Sequence, residues 1–371
     1  MNDVLIIGGG LAGLVNAVQL ARAGLRVLVI EKKTYPFHKV CGEYISNEVL
    51  PFMQSLGVDF ERLQPSRISR FQLTSPTGKA LQIPLDLGGF GISRYTLDHE
   101  LYQMAQGAGA EFILGKSVES MIFENDRFSV ELSDGSTRQS KLVIGAFGKR
   151  SRLDKQLQRT FIQQQSPYLA VKYHIRHDFP KDLIALHNFR DGYCGTSAIE
   201  DDKYCLCYLT TRANLRQHGT IEAMEKAVLH QNPHLKKIFA QADFLYEKPE
   251  VINEISFAPK QAVENHILMA GDAAGLITPL CGNGMAMAIH AAWILSALII
   301  RYHHRELDRI TLERIYKREW NSQFVGRLWV GRQVQRLFGD EWLSELAVGF
   351  FKQAPPLARL LVKQTHGQVF G

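Results

Sequence analysis

Two glycine-rich turns, each placed between an apolar run and a helix-forming stretch and each matched to an acid, are the residues best suited to chemistry. The first is Gly8-x-Gly10-x-x-Gly13, directly after Val4 to Ile7. Its first glycine makes a tight turn, its second lets a pyrophosphate approach bare backbone, and its third lets helix and strand pack closely. The helix N-terminus adds free N–H groups and partial positive charge. Glu31 closes the next apolar run, Val27 to Ile30, where a carboxylate accepts the hydroxyls of an adenosine ribose. Strand, turn, helix and acid in this register predict a dinucleotide site.

The second turn is Gly271-Asp272-Ala273-Ala274-Gly275, after the apolar run Ile267 to Ala270, with Gly282-Asn283-Gly284 just before a long apolar stretch from Met285. A carboxylate at a strand end suits a polyol hydroxyl, and glycine at 282 and 284 lets a flat ring lie against backbone. The ring this implies is an isoalloxazine, which makes the dinucleotide FAD. A helix starting at 285 would direct partial positive charge at the pyrimidine edge, where negative charge collects on reduction.

Other candidates carry less. Cys41 either faces the ring or packs as a small residue, and only a depressed pKa would make it a nucleophile. The five cysteines, 41, 194, 205, 207 and 281, form no C-x-x-C pair and no zinc spacing, so neither a disulfide framework nor a metal site is expected. Cys205 and Cys207 share a strand face as core thiols. His290, inside an apolar helix, reads as a satisfied core histidine, and Lys79 falls in a hairpin turn. Tyr173, Tyr193, Tyr204 and Tyr208 either line an apolar substrate cavity or pack as core.

The elements that position these residues follow from periodicity. Val4 to Ile7, a helix through Ala23 and Val27 to Ile30 make a strand–helix–strand unit, whose right-handed parallel crossover puts the turn at the carboxyl edge of a sheet. From Arg70 to Ile92 the pattern alternates and is broken by turn signals at Ser75-Pro76-Thr77-Gly78 and Leu87-Gly88-Gly89, predicting inserted antiparallel strands. A helix follows over 96–108, then strands over 111–114, 118–123, 128–132 and 142–144. Residues 166–257 alternate again and contain one helix near 221–231. The remainder of the chain, from 301, reads as amphipathic helices ending near Pro355-Pro356. The fold expected is α/β: a Rossmann-like FAD-binding domain from 1–69, 92–165 and 258–300, an inserted antiparallel β-sheet substrate domain from 70–91 and 166–257, and a helical segment over 301–371.

On these residues the chain resembles the flavoprotein monooxygenases of the p-hydroxybenzoate hydroxylase fold, and within them it is most similar to the geranylgeranyl reductase branch, which shares its fold with flavin-dependent halogenases. The resemblance rests on Gly8 to Gly13 with Glu31, Lys39-Val40-Cys41-Gly42, Arg94 with Leu97 and Asp98, and Gly271-Asp272 through Gly284-Met285, and spans about residues 1–300. It implies that Gly8, Gly10, Ala12, Gly13, Glu31 with Lys32, Cys41, Gly42, Arg94, Val118, Asp272, Gly284 and Met285 contact FAD. Read without the family, Arg94 is a helix-start residue paired to a carboxylate. The third family motif carries an Asp-Gly pair where this chain has Phe147-Gly148, which puts conventional NAD(P)H binding in doubt. Neither the aromatic-rich reductase motif nor the halogenase motif appears at Tyr193 to Ala198. No motif designates a catalytic acid or base. The resemblance implies an FAD-dependent oxidoreductase acting on a lipophilic or aromatic small molecule, by C=C reduction or, alternatively, by aromatic hydroxylation or halogenase-like chemistry; a flavin-binding sensor or scaffold is the non-enzymatic alternative.

Composition bounds partners and place. The chain has 371 residues, 46% hydrophobic and 22% charged, with a net charge of +6. That is globular composition, enough for two domains. Residues 301–371 hold 12 Lys/Arg against 7 Asp/Glu, but interspersed with acids and apolar residues they read as a solvated helical face and not as a nucleic-acid surface. Leu346 to Phe351 and Leu357 to Val362, flanked by Arg336, Lys352, Arg359 and Lys363, either close the substrate cavity or lie in a bilayer interface. The apolar run 286–300 falls short of the roughly 20 residues that span a bilayer. With no export signal and unpaired thiols, a cytoplasmic location is expected.

Overall fold

The computed structural model describes residues 1–163, 166–253, 255–337 and 340–371. β1 (Asn2–Ile7), α1 (Leu11–Arg22) and β2 (Val27–Glu31) form at the expected places. The two strands pair in parallel, Val4 opposite Val27, and Thr137–Gly145 flanks β1 in parallel on the other side. Ile267–Met269 and Glu111–Leu114 extend the parallel sheet at its two sides. The segments Val4–Ile7, Val27–Ile30 and Leu142–Ile144 of these strands are apolar and buried. The hairpin of Val118–Glu124 and Arg127–Leu132 joins it through Thr137–Gly145.

Gly284–His303 packs against α1 and against the long helix Arg309–Leu337. It is the one described helix long and apolar enough to cross a membrane, yet most of its side chains belong to the hydrophobic core. The buried-helix expectation holds. His290 within it is buried, but it is not satisfied as expected: its Nδ1 has no hydrogen-bond partner among the described residues, and its ring stacks on Phe370 at 4.0 Å.

A second sheet runs in the order Asp243–Phe244, Tyr168–Arg176, Tyr204–Thr211, Gly192–Ala198, Leu183–Phe189, Ser66–Thr74, Ala80–Gly91 and Tyr44–Ser46. All pairings along it are antiparallel except that of Leu183–Phe189 with Ser66–Thr74. Leu87-Gly88-Gly89 is not a turn, because Ala80–Gly91 runs through it. Glycine is needed there for close approach: a Cβ on Gly91 would stand 1.8 Å from the Ala198 carbonyl oxygen.

Alternation gives the strand Tyr168–Arg176 two different faces. Val171, Tyr173 and Ile175 join a core with Leu206, Tyr208, Met224, Leu235 and Ile238. Lys172 and His174 point the other way, with Cys207 and Cys205 as their register partners. The single helix expected near 221–231 is a series: Arg212–His218, Ile221–Ala227, a 3₁₀ turn at Leu229–Gln231, and Pro233–Gln241. Thr211, Thr220 and Asn232 each cap a new start, which is why the run divides.

Pro355-Pro356 does not end the helices. It begins another, Pro355–Thr365, after Glu341–Gln353. Proline lacks an N–H that the first helical turn leaves unused. The end of the chain is anchored by the fully buried Glu48: Arg327 pairs with it at 3.1 Å, and Asn283 Nδ2 and the Gly367 and Phe370 N–H groups donate to it.

Candidate functional site

The first turn is set by sterics. Gly8 has a φ of +104° and a Cβ on it would meet the Ala146 carbonyl oxygen at 2.4 Å; on Gly13 it would lie 2.0 Å from the Gly8 carbonyl oxygen. Gly10 differs. Around its missing Cβ the nearest atoms are two cationic nitrogens, Arg94 Nη2 at 3.5 Å and Lys39 Nζ at 3.6 Å. Leu11 then opens α1 with no side chain capping its N-terminus. Bare backbone, free helical N–H groups and two cations form a cradle for a pyrophosphate.

Glu31 is buried and accepts the Gly9 N–H at 2.7 Å and the Lys33 N–H at 3.1 Å, so the acid organises the turn as well as ending β2. The Tyr35 hydroxyl donates to the Gly9 carbonyl at 2.6 Å. Lys32, next to Glu31 in the chain, is exposed, and Val118 is buried at the start of the hairpin.

Arg94 fulfils the residue-level reading: its Nε and Nη2 pair with Asp98 at 2.7 and 2.8 Å, and Lys39 Nζ joins the same carboxylate at 2.9 Å. Burial works against the charge of Asp98, but Arg94 and Lys39 outweigh it and hold its pKa low. The second turn reaches this cluster. A Cβ on Gly271 would lie 3.1 Å from that of Ala12, and Asp272 feels Lys260, Arg94, Lys149 and Lys39. Burial nevertheless pushes the Asp272 pKa up. Gly282 then turns at φ +63°, and Gly284 and the buried Met285 start the long helix, whose N-terminus no side chain caps.

Sequence reasoning missed the group that holds Cys41 and Gly42. Glu43, fully buried with φ +55°, pairs with Lys172 Nζ at 2.5 Å and His174 Nε2 at 2.6 Å, and accepts the Arg94 N–H at 2.8 Å. Lys172 also donates to the Lys39 carbonyl, Cys205 Sγ to that of Cys41 and Ser197 to that of Gly42. The polar face of the second sheet thus grips residues 39–43. Although burial opposes ionisation, Lys172 and His174 bring the Glu43 pKa down to about 2. Burial raises the pKa of Cys41, which argues against a thiolate there. The one legible signal was a lysine and a histidine at alternate positions of an apolar strand, which demands a buried counter-charge.

The four tyrosines are buried, and none of them lines the apolar groove. Tyr173 and Tyr208 donate to Glu225, Tyr204 donates to the Phe179 carbonyl, and the Tyr193 hydroxyl accepts the Leu280 N–H at 2.9 Å. An open apolar groove lies elsewhere. Phe71, Leu73, Leu81, Ile184 and Leu186 of the second sheet form one wall, and Val334, Phe351, Ala358, Leu361 and Val362 of the last three helices form the other. Tyr44, Leu280, Cys281 and Gly282 also line it, so the groove reaches the segment that opens the long apolar helix.

A model of the FAD binding domain matches residues 1–314. The chain belongs to this FAD-binding family. The FAD-binding protein is 25% identical to conditioned medium factor receptor 1 of Dictyostelium discoideum, over 87% of this chain and 68% of that one. It is also 25% identical to geranylgeranyl diphosphate reductase of Rhodobacter capsulatus, over 77% of this chain and 72% of the relative. In fold it is like flavin-dependent brominase Bmp2, with a TM-score of 0.79 at 19% identity, covering 100% of this chain and 94% of that one. The family resemblance and the mixed α/β fold are therefore borne out, and the FAD-binding protein is an oxidoreductase. Its structure fits FAD: the open space at Gly10 faces two cations, two helix N-termini lack side-chain caps, and Asp272 follows Gly271, whose missing Cβ would meet Ala12 of one helix and Ala288 of the other.

Proposed function

We propose that this oxidoreductase reduces a carbon–carbon double bond in a lipophilic, isoprenoid-like molecule held in the apolar groove. The observation that carries the reading is the groove itself, apolar along both walls, with Leu280–Gly282, the segment leading into the long apolar helix, in its lining. FAD supplies the redox chemistry, taking and giving two electrons as a hydride equivalent. The chain would hold it through Gly8, Gly10, Ala12, Gly13, Glu31, Arg94 and Asp272, with Gly284 and Met285 at the ring end and Lys32 and Val118 at the outer end. Lys39, presented beside Arg94, adds positive charge for the pyrophosphate. The second sheet and the last helices act as the substrate unit, excluding water and orienting the chain of the substrate. The grip on residues 39–43 fixes Cys41 and Gly42 where they would face the ring. The five free thiols suit a reducing compartment, which supports a cytoplasmic location.

Anaerobic turnover tests this reading. Dithionite-reduced enzyme mixed with a polyprenyl substrate should regain the oxidised flavin spectrum as saturated product forms. If product formation instead requires oxygen and consumes it one for one, the enzyme is a hydroxylase and the reductase reading falls. The same assay with NADPH in place of dithionite should show slow reduction, given Phe147 in the third family motif.

A further inference from the structure

Helices Glu341–Gln353 and Pro355–Thr365 carry apolar side chains on two sides. Phe351, Ala358, Leu361 and Val362 line the groove. On the outer side, Trp342, Leu346 and Phe350 recur at every fourth position and are 68%, 51% and 55% exposed, and Leu357 and Leu360 on the next helix are 47% and 52% exposed. Single exposed hydrophobic residues are ordinary, but a stripe with helical period is not scattered. Across the two helices Lys352, Arg359 and Lys363 stand against Glu341 and Glu345, the latter paired with Lys79, so positive charge collects over residues 346–371, which hold no Asp or Glu. All three cations are exposed, and none is ion-paired within the described residues.

We propose that this outer face docks on the interface of an anionic bilayer, with the two helices lying in its plane. An apolar stripe edged by unpaired cations is the pattern that buries its stripe at the headgroup boundary while the cations meet lipid phosphates. A second copy of the chain fits less well, since an isologous pair would set these same cations against one another. The docking itself stands apart from the reductase reading. Given that reading, it has one consequence: the helices that wall the groove become the membrane-facing layer, so a lipophilic substrate reaches the groove without crossing bulk water.

The test uses the full chain with FAD bound and sedimentation with vesicles of phosphatidylcholine, either alone or mixed two to one with phosphatidylglycerol. Binding to the anionic vesicles should be at least tenfold stronger and should weaken with salt. Leu346→Glu combined with Leu357→Glu should abolish it. So should Lys352→Glu with Arg359→Glu and Lys363→Glu, which leaves the stripe intact. Both variants should keep the parent's flavin absorbance and unfolding midpoint. The proposal is overturned if the parent binds neither vesicle, binds both equally, or binds as before in either variant. It is overturned equally if light scattering shows a dimer that Leu346→Glu with Leu357→Glu dissociates while no vesicle binds. None of these readouts needs a substrate, so failure of the reductase assay would leave them standing.

Discussion

Gly8–Gly13 and Lys39–Glu43 both lie beside Arg94, and they keep their shapes by different means. In the first segment the constraint is backbone contact between near neighbours, such as the 2.0 Å that would separate a Gly13 Cβ from the Gly8 carbonyl oxygen. In the second, the shape is imposed by side chains from a distant strand, Lys172 and His174, acting on one buried carboxylate. A steric turn is robust and local. A segment clamped by charges across a sheet is sensitive to any change that unpairs them, because an uncompensated buried ion is costly.

Substitutions can break each side of this contrast separately. The largest effect should follow Gly13→Ala, which forces a side chain into backbone and should cost more than about 4 kcal/mol, seen as loss of soluble, yellow protein. Lys172→Met should cost about 3 kcal/mol or more by leaving Glu43 short of its main partner, and Lys172→Met with Glu43→Gln should recover much of it, both read by urea unfolding. A pH series sharpens the same point. Glu43 titrates near 4.5 in the unfolded chain and near about 2 when folded, so its contribution is complete above 4.5 and drains away as pH falls towards 2. Glu43→Gln should flatten that acid limb of the unfolding midpoint.

Gly10→Ala should barely move stability, under about 1 kcal/mol, since a Cβ there meets only the far ends of Arg94 and Lys39. It should still weaken FAD retention about tenfold by filling the pyrophosphate approach, worth about 1.4 kcal/mol. Asp272→Ala should likewise release flavin during dialysis. A variant as yellow as the parent would remove Asp272 from its proposed role.

Much of the nucleotide half was legible. Gly8 to Gly13, Glu31 and Asp272 declared themselves because a turn that admits no side chain, and an acid that ends an apolar run, are properties of neighbouring residues. The helix boundaries in 212–241 were misread because three capping residues, Thr211, Thr220 and Asn232, restart a pattern whose apolar period looks continuous. The prolines at 355–356 were read as a stop when their position in a first turn makes them a start. The tyrosines of the second sheet, whose spacing suits a cavity wall as well as a core, face a carboxylate and backbone groups inside the core.

From sequence alone come the parallel sheet, the FAD family and the two turns that would hold the coenzyme, because each depends on steric rules acting over a few adjacent residues. Only the folded chain decided that Glu43, Lys172 and His174 meet. It also decided that the groove lies between the second sheet and the last helices, where Leu81 and Leu361, far apart along the chain, share one apolar space. Burial of a charge and the shape of a cavity are properties of surfaces brought together from distant parts of the chain, and no local pattern records them.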